Sequence, residues 1–179
     1  MSTERTKRHR RSTAGATVVA LLATAGIGLA APQASADSVS VGYTCTGAGA
    51  PSGVNPIQVT LNAPATIAQG GTANLTLSAT TQMTAPVDLP AGAVTAEADI
   101  VLGGANSGTA TATGFTNDSA VPSGSTVSVS GGTASIQLND VGTTTYTPGA
   151  IAVHVFGLTV NCTVADTAPV LGSTEVTAS

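Results

Sequence analysis

The sequence predicts an all-β protein, a single antiparallel β-sandwich domain carried behind a signal peptide. Three observations lead there. Apolar and polar residues alternate in short runs along most of the chain, which is the period of a half-buried strand. Gly, Pro, Asn or Asp closes each run, as turns require. β-branched residues abound, with Thr alone supplying 25 of the 143 residues after Ala36, and long helix-forming runs rich in Leu, Glu, Lys and Arg are missing. Without that alternation, a Thr/Ser/Gly/Ala-rich chain would read as a low-complexity stalk.

Residues 1–36 follow the order of a secretory signal peptide. A basic stretch, MSTERTKRHRR, precedes an uncharged, mostly apolar run from Ala16 to Ala31. Pro32 breaks that run, and Ala34-Ser35-Ala36 places small residues where a signal peptidase reads them. The run is shorter than the ~20 residues of a membrane-spanning helix, and Gly26 and Gly28 interrupt it. Arg10-Arg11 lacks persuasive twin-arginine flanks, so ordinary export is expected. No Cys stands at the cleavage point for lipid attachment.

The strands of the domain, residues 37–172, follow in order. Val39, Val41, Tyr43 and Cys45 share one face of the first. Ile57, Val59 and Leu61 repeat the pattern after the Gly53–Pro56 turn, and Leu75 and Leu77 do so after Gly70-Gly71. AGAVTAEADIVLGG fits both a strand and a helical stripe, and its bounding glycines favour the strand. Val127 and Val129 form one run, closed by Gly131-Gly132, and Ala134, Ile136 and Leu138 form the next. Near the end, Ile151, Val153 and Val155 are odd-numbered, whereas Leu158, Val160, Cys162 and Val164 are even-numbered. A β-bulge at Phe156-Gly157 in one long strand accounts for this change of phase, and two strands kinked at Gly157 are the alternative. Residues 173–179 read as a disordered tail. Short strands at this spacing fit a sandwich or a barrel, and one domain of this length buries a real core.

The chain has two cysteines, Cys45 and Cys162, each on the apolar side of its strand. In an exported protein an even count reads as a disulfide, here an inward bridge between the first and last strands. With no C-x-x-C pair and one His in the domain, a metal or nucleophile role for these thiols is disfavoured.

Few residues invite catalysis. Glu97 and Asp99 are two apart and share a strand face, and Asp118 and Asp140 follow Asn in two turns. Paired carboxylates serve glycoside hydrolysis or bind calcium. Side chains at i and i+2 do not converge, however, and no D-x-D-x-D-G loop is present. His154 lies between Val153 and Val155 on the outward face, and no G-x-S-x-G elbow accompanies it. Four aromatic residues make a poor sugar-stacking platform, although Tyr146 in TTTYT is placed to be exposed. Asn74, Asn117 and Asn161 head N-x-[ST] sequons, which a bacterial-looking leader leaves unglycosylated.

All five Lys and Arg residues fall within the first eleven positions. Residues 37–179 therefore carry eight acidic side chains, no Lys or Arg, and a net charge of −8. Such a surface cannot pair with phosphates, so nucleic acid and anionic membranes are excluded as partners. No cofactor or metal is expected. The reading is a secreted, non-enzymatic β module, extracellular or loosely envelope-associated, with a structural or interaction role. A carboxylate-dependent hydrolase and a calcium-stabilised binding domain are the alternatives.

Tyr43-Thr44-Cys45, the segment PATIAQGGTANLTLSAT (Pro64 to Thr80) and the closing LTVNCTV (Leu158 to Val164) carry a resemblance. With an early Y-x-C strand, a Pro…Gly-Gly turn and a late partner Cys, the chain resembles a family of secreted bacterial β-sandwich proteins. It is also similar to bacterial Ig-like domains. The resemblance implies a sandwich fold and export, and no site residues. The lack of Lys and Arg departs from ordinary Ig-like adhesins.

Overall fold

The computed structural model describes residues 35–179. The signal peptide read over 1–36 lies outside the described residues, apart from its last two positions. The described chain is all-β. Its strands are β1 (Ser35–Gly47), β2 (Val54–Ala63), β3 (Thr66–Ala68), β4 (Thr72–Thr84), β5 (Val94–Gly104), β6 (Gly108–Thr116), β7 (Thr126–Gln137), β8 (Gly142–Val155), β9 (Leu158–Val164) and β10 (Gly172–Thr177). The AGAVTAEADIVLGG segment is a strand, as its glycines suggest.

The ladder runs β3-β10-β8-β5-β6-β7-β4-β2-β1-β9, and β9 pairs with β8 as well. Eight strands therefore close into a ring, in contrast to the two separate sheets expected of a sandwich. Closure is achieved by dividing one edge of β8. Its first half, Gly142–Tyr146, pairs with β10, and its second half, Ile151–Val155, pairs with β9. All pairings are antiparallel except β10 with β3. An eight-stranded closed sheet has an interior just wide enough for side chains or for one small ligand.

Four features differ from the sequence reading. The change of phase at Phe156-Gly157 is a hairpin turn between β8 and β9, where a bulge in one strand had been expected. Val155 pairs with Leu158, Val153 with Val160 and Ile151 with Cys162. A two-residue turn places odd and even positions opposite one another, so both sets face inward. Bulges occur elsewhere. Ala98 and Ile100 on β5 face Ile151 and Pro148 on β8, and Leu77 and Ala79 on β4 face Gly132 and Val129 on β7. In each case three intervals on one strand oppose two on its partner, and the inward phase changes there. Gly131-Gly132 is thus part of β7 and not its end.

The tail also differs. Residues 172–177 form β10, and Thr174 and Val176 are fully buried. A strand whose inward positions are one Thr and one Val gives little hydrophobic signal. Its order comes from pairing with β8 and β3. Tyr146, placed by sequence as an exposed residue, is likewise fully buried.

The turns at 48–53, 85–93, 117–125 and 156–157 gather at one end of the ring, and those at 69–71, 105–107 and 138–141 at the other. A buried asparagine fastens each end. Asn106 accepts from the amides of Asn139 (3.0 Å) and Asp140 (3.1 Å) and donates to the Asp140 carbonyl (3.0 Å) and Thr144 Oγ1 (2.8 Å). Asn117 accepts from the Val94 amide (2.8 Å) and donates to the carbonyls of Pro90 (2.8 Å) and Ser119 (3.0 Å). Among the described residues no buried side-chain polar atom lacks a partner, as a low-dielectric interior demands.

Candidate functional site

The two ends are filled unequally. At the Asn106 end the interior is closed by Leu75, Leu138, Tyr146 and Val176, all essentially inaccessible. There the Tyr146 hydroxyl donates to Thr174 Oγ1 (2.9 Å), which donates to the Pro64 carbonyl (2.7 Å). Toward the Asn117 end the inward positions of the same strands carry Ala79, Val127, Val129, Val153 and Val160, and these are only half-buried. Ala and Val fill too little volume to occupy the cross-section of eight strands. A cavity of about 390 Å³ remains, bounded almost wholly by apolar side chains.

The rim of this cavity is apolar as well. Phe156, Leu158 and Val87 border it and are 62%, 47% and 52% exposed. Phe156 sits at φ 49° and Gly157 at φ 79°, so the β8–β9 turn has positive φ at both central residues, as a type I′ hairpin does. Asn or Gly is the usual occupant of the first position. A bulky residue there is strained by on the order of 1–3 kcal/mol. Tyr43, Thr81, Thr84 and Asp99 are the polar residues of the cavity lining, and Tyr43 is the most deeply buried of them. Its hydroxyl donates to the Gly149 carbonyl (3.0 Å), and burial pushes its pKa up to about 12.

The disulfide joins Cys45 on β1 to Cys162 on β9, with Cα atoms 4.0 Å apart. Both residues are buried, and they face each other directly across the β1–β9 ladder. The separation lies slightly inside the usual 4.4–6.8 Å. The bridge therefore spans the seam that completes the ring, beside the cavity wall.

The residues singled out for chemistry are dispersed. Glu97 is exposed, and Asp99 accepts from Thr111 Oγ1 (2.9 Å) on the outer face of β5 and β6. Asp118, exposed beside the cavity end, accepts from Ser130 Oγ. Asp140 lies in the opposite turn, with the 12 residues of β7 between the two, a distance on the order of 35 Å at strand rise. His154 contacts Thr159 Oγ1 through Nδ1 (3.0 Å). No group of three or more metal-ligating side chains occurs among the described residues. Sequence reasoning overlooked the cavity. Its only trace was the run of Ala and Val at inward positions on one half of each strand, which becomes informative once the strands are known to enclose one space.

Fold and site together define the class: a closed all-β sheet, fastened by one disulfide, with an apolar pocket open at one end. No known family, curated protein or solved structure matches this chain.

Proposed function

We propose that this chain is a secreted, non-enzymatic extracellular module acting through binding, either free or loosely held at the cell envelope. The observation that carries this reading is the separation of chemistry from concavity. Glu97, Asp140 and His154 lie away from the apolar cavity, and Asp99 is the one carboxylate in its lining and is held by Thr111. Asp118 borders a separate polar hollow beside Ser130, so no two of these groups share a concave site. Acid–base or nucleophilic catalysis needs such groups within hydrogen-bond reach of one another and of a shared substrate position. The basic, apolar, A-x-A order of residues 1–36 and the Cys45–Cys162 bridge support export.

The test follows the full-length chain in a bacterial host. Intact mass from the medium is expected to show a chain beginning at Asp37, with a fraction retained on washed envelopes. Retention that survives EDTA fits a module that needs no calcium. Release of sugars or peptides from those envelopes, lost in Glu97→Gln or Asp118→Asn, would replace this reading with a hydrolase.

A further inference from the structure

We infer that the apolar cavity is a binding site for one small, neutral, hydrocarbon-rich molecule that enters past Phe156. This rests on the reading of the chain as a binding module and on removal of its basic leader, and on no envelope contact. The first support is the asymmetry of filling. One end of the ring is packed to exclusion of solvent, whereas the other holds about 390 Å³ between buried residues such as Ile57, Leu77 and Phe115 and the half-buried Ala79, Val129 and Val153. That volume lies within the range of small-molecule sites, and most of the lining is apolar, as such sites require. The second is Phe156. It occupies the turn position where Asn is ordinary, at φ 49°, and its ring stands exposed beside Leu158 at the mouth. A strained aromatic that is mostly exposed at the mouth supplies apolar contact to what enters, and such outliers mark ligand clamps.

The third support is charge, which selects the ligand class. No Lys or Arg follows position 11, so no side-chain ammonium or guanidinium among the described residues can pair with a carboxylate or phosphate head group. The one imidazole there, His154, is absent from the cavity lining and contacts Thr159. Asp88 and Asp118 stand on loops at this end, and an anion would meet them without a counter-charge. The Tyr43 hydroxyl is already committed to Gly149. A neutral molecule such as a medium-chain alcohol or a terpenoid meets no such penalty.

The experiment titrates the mature, oxidised chain with Nile red, a neutral dye, and competes the dye with decanol or decanoate at neutral pH. Saturable binding of one dye per chain is expected, displaced by decanol and not by decanoate. Ala79→Phe, which fills the cavity, is expected to weaken binding at least about tenfold, or 1.4 kcal/mol. Phe156→Asn is expected to weaken it severalfold while leaving the melting temperature unchanged or higher. If Ala79→Phe does not fold, Phe156→Asn, at an exposed turn that favours Asn, carries the same readout. Absence of saturable binding, or affinity unchanged in folded Ala79→Phe or in Phe156→Asn, would overturn the inference. Equal displacement by decanoate would overturn the neutral class. A dimer that dissociates in Phe156→Asn would make the mouth a self-interface instead.

Discussion

Gly132 and Phe115 form a complementary pair. A Cβ at Gly132 would fall inside the volume of the Phe115 ring, itself buried against β7. Gly132→Ala must therefore displace a core aromatic where β6 and β7 share only two paired positions. A loss of about 1–3 kcal/mol is expected, measured as the urea midpoint. Tyr43 makes a second prediction, in pH. Its pKa rises to about 12 on folding because burial disfavours the phenolate, against about 10 in the unfolded chain. The stabilisation is complete below pH 10 and is lost as pH rises toward 12, because the unfolded chain releases its proton first. Burial also raises Tyr146, an effect its bond with Thr174 partly offsets. Stability should fall by on the order of 2–3 kcal/mol through Tyr43 across that window. Unfolding curves from pH 8 upward, with Tyr43→Phe as the comparison, read the slope. The inward placement of Tyr43 was legible from its alternation with Val39 and Val41. That of Tyr146 was not, because its neighbours on β8 are Thr, and a buried Thr144 looks like a surface residue until Asn106 is seen to bind it.

Among the elements, β9 decides the architecture. With seven residues it is the shortest strand of the ring, and it bridges β1 and β8. The disulfide crosses its β1 side and closes a loop of 117 residues in sequence. On the chain-entropy account such a loop contributes on the order of 4–5 kcal/mol. The Cys45→Ala, Cys162→Ala double variant should lose about 2–5 kcal/mol in a thermal or urea melt. Cavity binding should weaken with it, since Cys162 stands in the wall. Most of the longer strands were visible as alternation, including β5, whose apolar spacing also matched a helix, whereas β6, made of Gly, Thr and Ala with one Phe, and β10 were not. Their connection was less so. A change of apolar phase marks either a bulge or a two-residue hairpin, and local periodicity cannot separate them. Phe156 at a position that favours Asn concealed the hairpin, and Gly131-Gly132 imitated a turn inside β7.

For the whole molecule, charge and closure set behaviour. With eight acidic residues and no Lys or Arg among residues 37–179, that stretch expressed by itself should pass heparin and DNA columns without salt-dependent retention near neutral pH. Retention released by salt would contradict this. By itself the sequence determined the all-β class, the sites of most strands, the inward pairing of Cys45 with Cys162 and the acidic surface. Each rests on composition or on a two-residue period, and both are local properties of the chain. Tertiary structure alone decided the rest. Whether the sheet splits or closes depends on β8 serving β10 with one half and β9 with the other, a division of hydrogen bonds among residues far apart in sequence. Whether the interior is full or hollow depends on the summed volume of side chains from many strands at one level of the ring. Ala79, Val129 and Val153 look like ordinary core residues one strand at a time. They leave a cavity only because the closed ring sets them around a space wider than they can fill.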